Sequence, residues 1–576
     1  MLRFLHGYME QCWLGLVRRG LIDDSSGVKF HQSFYTPDDR RLNRLAAINS
    51  SLYEIIRECN RPFYLDRYQG GSIYYKYEYD FTLLNAYVDL CGEWMLGLQL
   101  HEWGSNRIHD WVNLVAALGA NPQDDPEGIM RLFGEENINY EGGAFPEAAP
   151  AEEYIGQKPP SDLQSAKDDI VRLITLRQNQ NHGMMLPTDS YYMAIRQELA
   201  AGVKNLMPEV GAQIPFMRMQ IALTRGMARD AGIKWGTYYE PWGGEPFGCA
   251  YYKRDSVNEW DIPGKLSPDQ AFPQTNGGSS RALQKRIYYH SLLSGAHFLS
   301  EEWGTSNTFY DWNDYELTPY GLVKQEFLRF AACNPNLGDT FTPVALVLPI
   351  DFDMFDIHYL SEHNSAATVH AITSEAIQGD KYYSFPLENS QSKRFAHLRT
   401  ILKLFLGDDK REYGNEGHVI GNSKYGDIFD IIYADIKHES LEKYDVLIDL
   451  DFDGSLSAKH PALHKRILNS KNISEMEREL NNKLAKLLPI QVNGELSWIL
   501  NRTKTGWVLG LFNNEGMDRN IKHGDKTMTE ANSIIEISTQ NLNIDILNGD
   551  PKALNQANGK WYYDLKASEV ALLALT

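Results

Sequence analysis

The 576-residue sequence predicts an α/β protein: a (β/α)8 barrel, then a second flavodoxin-like α/β unit, then a small β-sandwich. Three observations carry this. Short apolar runs alternate with helical patterns up to about residue 340, the rhythm of βα units around a parallel sheet. The rhythm restarts with a buried strand, "FTPVALVLPIDF" (341–352). From about residue 490 it gives way to short alternating runs separated by turn residues. The chain is too long for one ordinary core, and the expected divisions are 1–340, 341–489 and 490–576.

Taken in order, the first unit offers seven strands: "VKFHQSF" (28–34), "PFYLDRY" (62–68), "WMLGLQL" (94–100), "MMLPT" (184–188), "KNLMPEV" (204–210), "IKWGTYY" (233–239) and "AHFLSEE" (296–302). Helical patterns cover 40–59, 190–203, 215–232 and 280–295. Seven strands are one short of a barrel, and residues 1–21 read as an amphipathic helix, so the barrel is expected to lack its first one or two N-terminal units. Such a start fits a fragment or a late start codon. Residues 120–165, rich in Pro, Gly and acids, read as an insertion near the barrel mouth. In the second unit, 392–407 and 474–488 read as helices, with 428–436 and 443–454 as strands. In the third, 496–503, 506–514, 533–539 and 560–575 read as strands.

Composition narrows the function. A net charge of −20 with no basic stripe argues against nucleic acid and suits a neutral substrate. Five scattered cysteines (Cys12, Cys59, Cys91, Cys249, Cys333) form no CxxC or Cys/His cluster, so neither a zinc site nor a disulfide framework is expected. No apolar run approaches 18 residues and the N-terminus carries no cleavage signal, so no membrane association and a cytoplasmic location are expected. The 12 Trp and 32 Tyr chiefly fill cores, but where aromatics flank acids they suit pyranose stacking.

In such barrels the reactive groups sit at the carboxyl ends of strands. Counting back from "AHFLSEEWG" as the eighth strand, the seventh ends in Glu240, the sixth in Glu209, the fifth in Asp189, the fourth in His101 and Glu102, and the third in Asp66 and Arg67. Strands four and seven face each other across the mouth, so Glu102 and Glu240 can flank one glycosidic bond as acid/base and nucleophile. Desolvation by Trp103 would keep Glu102 protonated, while Tyr238, Tyr239 or Arg67 would hold Glu240 ionised. Glu302 is the rival nucleophile if the count is off by one. Glu209 and Asp189 read as helix caps, surface charges or substrate contacts. His101 reads as a substrate contact or a packed core residue, and Asp66–Arg67 as an ion pair or a sugar subsite. Asn106, Trp242 and Trp303 complete the candidate substrate contacts.

The acids on strands four and seven, with "YYHSLLSGAHFLSEEW" (288–303) closing the barrel, resemble those of clan A retaining glycosidases. The order of barrel, amidotransferase-like α/β unit and β-sandwich resembles family 42 β-galactosidases, and more closely family 164 β-mannosidases. The resemblance implies Glu102 as acid/base, Glu240 as nucleophile, no cofactor, a β-mannoside or β-galactoside substrate and a homotrimer held by the second unit. Two features depart from it: His101 stands where Asn usually precedes the acid/base, and the barrel is short at its start. The second unit has no cysteine at its strand end, "LIDLDFDGS", so it is not an active amidotransferase of that kind. Two other readings stay open. One is a non-catalytic carbohydrate-binding barrel. The other is a hydrolase or lyase of acidic polysaccharide, for which Arg67 and Arg107 supply little positive charge.

Overall fold

The computed structural model describes residues 3–5, 18–19, 28–30, 63–65, 89, 92, 95–101, 124–128, 156–158, 160–161, 163–180, 183–188, 194–211, 217–240, 259, 279–301, 308–310, 314–353, 368–370, 384–386, 389–407, 417–520, 524–527, 529–539 and 541–576. The strands of the first unit are β1 (Arg3–Leu5), β2 (Val28–Phe30), β3 (Phe63–Leu65), β4 (Met95–His101), β5 (Met185–Thr188), β6 (Asn205–Leu206), β7 (Glu209–Gly211), β8 (Lys234–Glu240) and β9 (Phe298–Glu301). They form two sheets, β2-β3-β4-β5 and β1-β9-β8-β6, with β7 also on β8, and every pairing is parallel. The seven expected strands are all present, each at least in part. β6 and β7 are one expected strand, interrupted at Met207–Pro208, where proline has no N–H for the ladder.

The start of the chain differs from expectation. Arg3–Leu5 is a strand, paired with Phe298–Ser300 on the far edge of β9, and with it the first unit has eight strand positions among the described residues. The first unit thus begins on a strand where the sequence predicts a helix. Among the described residues the ladder does not close: β1 and β2, and β5 and β6, share no strand pairing. Side chains cross between the two sheets instead. Tyr64 Oη lies 2.6 Å from Ser300 Oγ, and Asn205 Nδ2 donates to Leu96 O at 2.8 Å.

The helices are α1 (Leu163–Gln180), α2 (Ile195–Ala200), α3 (Met217–Ala231), α4 (Arg281–Leu293) and α5 (Pro319–Cys333). Ser280 caps α4 by accepting from Leu283 N, and Thr318 caps α5 from Gly321 N, with Pro319 pre-set at its first turn. The expected helix at 40–59 and most of the 120–165 insertion fall outside the described residues.

Beyond the barrel, strands Val344–Leu348, Phe429–Tyr433, Val446–Asp449 and Ile467–Asn469 make a parallel sheet with Val344–Leu348 inside it. Two antiparallel sheets follow. One runs Asp339–Thr340, Ser497–Arg502, Trp507–Phe512, Val570–Leu575, Ile544–Asn548; the other runs Ile490–Asn493, Ser533–Thr539, Lys560–Leu565, Leu554–Ala557.

The helix α3 is buried along most of its length because it packs on the strand Phe429–Tyr433 as well as on β8. A Cβ at Gly226 would lie 2.5 Å from Ile431 O, so helix and strand meet where only glycine fits. Three arginines of α3 enter this contact. Arg218 pairs with Asp427 at 2.8 Å, Arg225 with Asp430 at 2.6 Å, and Arg229 with the other oxygen of Asp430 at 2.6 Å. Tyr444 and Thr342 also donate to Asp430, and His290 Nε2 lies 2.8 Å from Asp427. Burial pushes both carboxyls up, but the arginines, with His290 beside Asp427, hold both well below the usual carboxylate range.

Candidate functional site

Alternation along the strands tells the inner face from the helix face. Tyr64, Leu96, Leu186, Met207, Tyr238 and Phe298, each from a different strand position, form an apolar cluster of their own. Met185, Leu206, Val210, Trp235, Tyr239 and Leu299 instead pack into the large core shared with the helices. On β8 this puts Gly236, Tyr238 and Glu240 inward and Trp235, Thr237 and Tyr239 outward. The hydrogen bonds agree: Thr237 donates to Ser291 of α4 at 3.0 Å, and Tyr239 Oη lies 2.8 Å from Ser279 Oγ.

Glu240 is the last residue of β8 and is 3% exposed. Its register partner is Gly211, where a Cβ would lie 2.5 Å from Glu240 O and 3.0 Å from Glu240 Cβ. The absence of a side chain there lets the neighbouring strand come close beside the acid. One pleat below, Glu209 stands opposite Tyr238 and is wholly buried, so it is not the surface charge that sequence allowed. Further polar groups line the same face: Ser300 beside Tyr64, and Gln99, whose Nε2 donates to Thr188 Oγ1 at 3.0 Å. Gln99 Oε1 is left as a buried acceptor without a partner. At Gly97, φ is +145° and β4 slips register against β3, which sets the phase of the strand beyond it.

One expectation shifts. Tyr239, expected beside the substrate, faces the helix layer and meets the Tyr288 ring edge-on at 5.8 Å; Tyr238 is the inward tyrosine. Glu301, at the end of β9, also faces the helices, where Lys324 Nζ donates to its Oε2 at 2.5 Å and Tyr288 Oη to its Oε1. His101 ends β4 opposite Thr188. Asp66, Arg67, Glu102, Trp103, Asn106, Asp189, Trp242, Glu302 and Trp303 lie outside the described residues, so the Glu102–Glu240 separation does too. Sequence reasoning missed Tyr64, Gln99, Thr188 and Ser300, which look like ordinary strand residues until alternation places them inward. It also missed Lys324, whose partner is 23 positions away.

Among the described residues no group of three or more His, Cys, Asp or Glu is placed to hold a metal, and no helix is long and apolar enough to cross a membrane. What the inner face offers is buried carboxylates among tyrosine, serine and amide groups, the means for proton transfer and hydroxyl recognition.

No family model matches the chain, and no curated protein matches it. Several solved structures resemble its layout. A GH42 β-galactosidase from G. stearothermophilus, in a catalytic-mutant form, is 8% identical with a TM-score of 0.47, covering 100% of this chain and 98% of its own. An α-L-fucosidase isoenzyme from Paenibacillus thiaminolyticus is 9% identical with a TM-score of 0.42 over the same shares. A β-galactosidase from the haloarchaeon Halorubrum lacusprofundi is 9% identical with a TM-score of 0.39, again over the same shares. At these identities and scores a likeness assigns no chemistry to the chain.

Proposed function

We propose that the protein is a retaining exo-β-glycosidase acting on terminal β-mannosides or β-galactosides, with Glu240 as nucleophile and Glu102 as acid/base. The observation that carries the reading is Glu240 itself: a buried acid at the carboxyl end of β8, the strand the sequence count makes the seventh, on the same face as Tyr238 and flanked by the glycine at 211. Residues fixed there by a strand are held to the tolerance that catalysis needs.

The steps balance with these two groups alone. The Glu240 carboxylate bonds to the anomeric carbon as the bond to the leaving oxygen breaks, and Glu102 gives that oxygen its proton. Glu102, now ionised, takes a proton from water, which bonds to the anomeric carbon and releases Glu240. Asp66, Arg67, His101, Trp103, Asn106, Trp242, Glu302 and Trp303 remain the proposed substrate contacts, and Glu209 is another. The resemblance also implies a homotrimer through residues 341–489, which sedimentation equilibrium tests.

The decisive experiment is inactivation with a 2-deoxy-2-fluoro β-glycosyl fluoride, followed by peptide mapping. The expected adduct is on Glu240, and Glu240→Ala should lose roughly 10⁴-fold or more in kcat. An adduct on Glu302 would move the nucleophile to the eighth strand. No turnover of any β-glycoside by well-folded protein would leave a carbohydrate-binding barrel in its place.

A further inference from the structure

The chain leaves β8 at Glu240 and β9 at Glu301, the carboxyl ends of the seventh and eighth barrel strands. It enters α4 after Ser279–Ser280 and α5 after Thr318. Two side chains of α5, four residues apart and so on one face of the helix, hold both connections at described points. Tyr320 Oη donates to Ser279 O at 2.8 Å, with Glu259 O a weaker second acceptor at 3.4 Å. Glu259 is itself fixed to the start of α4: its carbonyl accepts from Arg281 N at 3.0 Å and its carboxylate from Ala282 N at 3.2 Å. Lys324 Nζ donates at 2.5 Å both to Glu301 Oε2 and to Thr308 Oγ1. Thr308 O in turn accepts from Thr318 N, and a Cβ at Gly321 would lie 2.3 Å from it, so the start of α5 lies flush against this point. One helix face thus grips the chain at 259 and 279 on one connection and at 301 and 308 on the other. Tyr320 and Lys324 are both fully buried.

We propose that Tyr320 and Lys324 are positioning residues that hold, from a single helix face, the chain at Glu259 and Ser279 after β8 and at Glu301 and Thr308 at and after the end of β9, and with it the paired ends of these two strands, where Glu240 stands. The proposal rests on the glycosidase reading above for its kinetic consequence, though not for its structural one. A purely structural ion pair would need only Glu301 and Lys324. The further bond to Thr308, and the parallel grip of Tyr320 on Ser279 and Glu259, fix where the chain returns as well as where it leaves.

The test uses variants that spare the buried ion pair: Thr308→Val, Tyr320→Phe and, as rescue, Thr308→Ser. Amide exchange is read on peptides spanning 260–278 and 302–307, alongside kcat and KM for an aryl β-glycoside and the thermal midpoint. Expected for Thr308→Val is exchange about tenfold or more faster in the 302–307 peptide. A fall of roughly ten- to a hundredfold in kcat should accompany it, because small displacements of reacting groups are costly. KM and the thermal midpoint should change little, and Thr308→Ser should restore both readouts. Tyr320→Phe should act likewise on the 260–278 peptide. Wild-type exchange in both variants overturns the proposal. So does faster exchange with unchanged kcat, which would leave a structural tie only. If the wild-type enzyme turns over no glycoside, the glycosidase reading fails by itself and the exchange arm still decides whether the clamp exists.

Discussion

Replacing Asp430 with alanine removes one carboxylate that serves four donors. Arg225 Nε and Arg229 Nη1 each lie 2.6 Å from it, Tyr444 Oη 2.9 Å and Thr342 Oγ1 3.1 Å. The Arg229 side chain is 37% exposed and can turn to water, so its share is at most about 1 kcal/mol. The Arg225 side chain is 2% exposed and cannot. A buried guanidinium stripped of its partner costs about 3–5 kcal/mol, and that term decides the outcome. The expected loss for Asp430→Ala is therefore about 4 kcal/mol, read as the shift of the guanidinium chloride midpoint multiplied by the slope of the transition. Arg229→Ala should lose about 1 kcal/mol or less. The double variant Arg225→Met with Asp430→Leu, which removes both charges and keeps bulk, should recover most of the single-variant loss. A loss below about 1 kcal/mol for Asp430→Ala would refute the claim that this contact is a dry ion-pair interface.

Gly211→Ala should cost about 1–3 kcal/mol and lower the proposed glycosidase activity, since the new methyl meets Glu240 O at 2.5 Å; thermal unfolding and kcat check it. Burial lowers the His290 pKa in the folded state against the pull of Asp427, while Arg218 and Arg225 add to the lowering; Ser294 Oγ and the Phe512 ring also face it. The unfolded chain then takes up the proton first, so stability should fall as pH drops below about 6.5, and His290→Gln should flatten that slope in urea unfolding at pH 7 and pH 5. Burial raises Asp449 to about 6, so its ionisation opposes folding, and the stability lost between about pH 4 and pH 6 stays lost above it. Asp449→Asn should therefore be more stable than wild type at pH 7 by about 1–2 kcal/mol and no more stable at pH 4.

Much of this architecture can be read from the sequence, because a parallel strand buried on both faces leaves a continuous apolar run that turn residues punctuate. The runs at 94–100, 233–239 and 296–302 show this, and counting back from the last of them puts Glu240 on the seventh strand. β1 escapes the same reading because Arg3–Leu5 is three residues long and stands in a stretch whose spacing suits a helix. The facing of Tyr239 was legible: a residue one step from an inward acid points outward, and strand alternation alone would have chosen Tyr238. Arg218, Arg225 and Arg229 recur at seven and four residues along α3. That spacing marks one helix face but not whether water or another unit covers it. Nor could a tie such as Lys324 to Thr308 be read, since it exists only once α5 has docked.

The strand Asp339–Thr340 has a consequence for how the chain reaches its final form. It follows α5 and pairs with Asn501–Arg502 of the first antiparallel sheet, so Asp339 meets Arg502 across 163 steps of chain. The whole parallel sheet from Val344 to Asn469 is spelled out between two neighbouring strands of a different sheet. During synthesis, Thr340 emerges long before its partner and must wait for it. A chain cut after residue 489 would keep every residue of the parallel sheet yet leave that strand without its ladder, an open edge inviting the wrong neighbour. The middle of this protein is thus an interruption that its own C-terminus has to close.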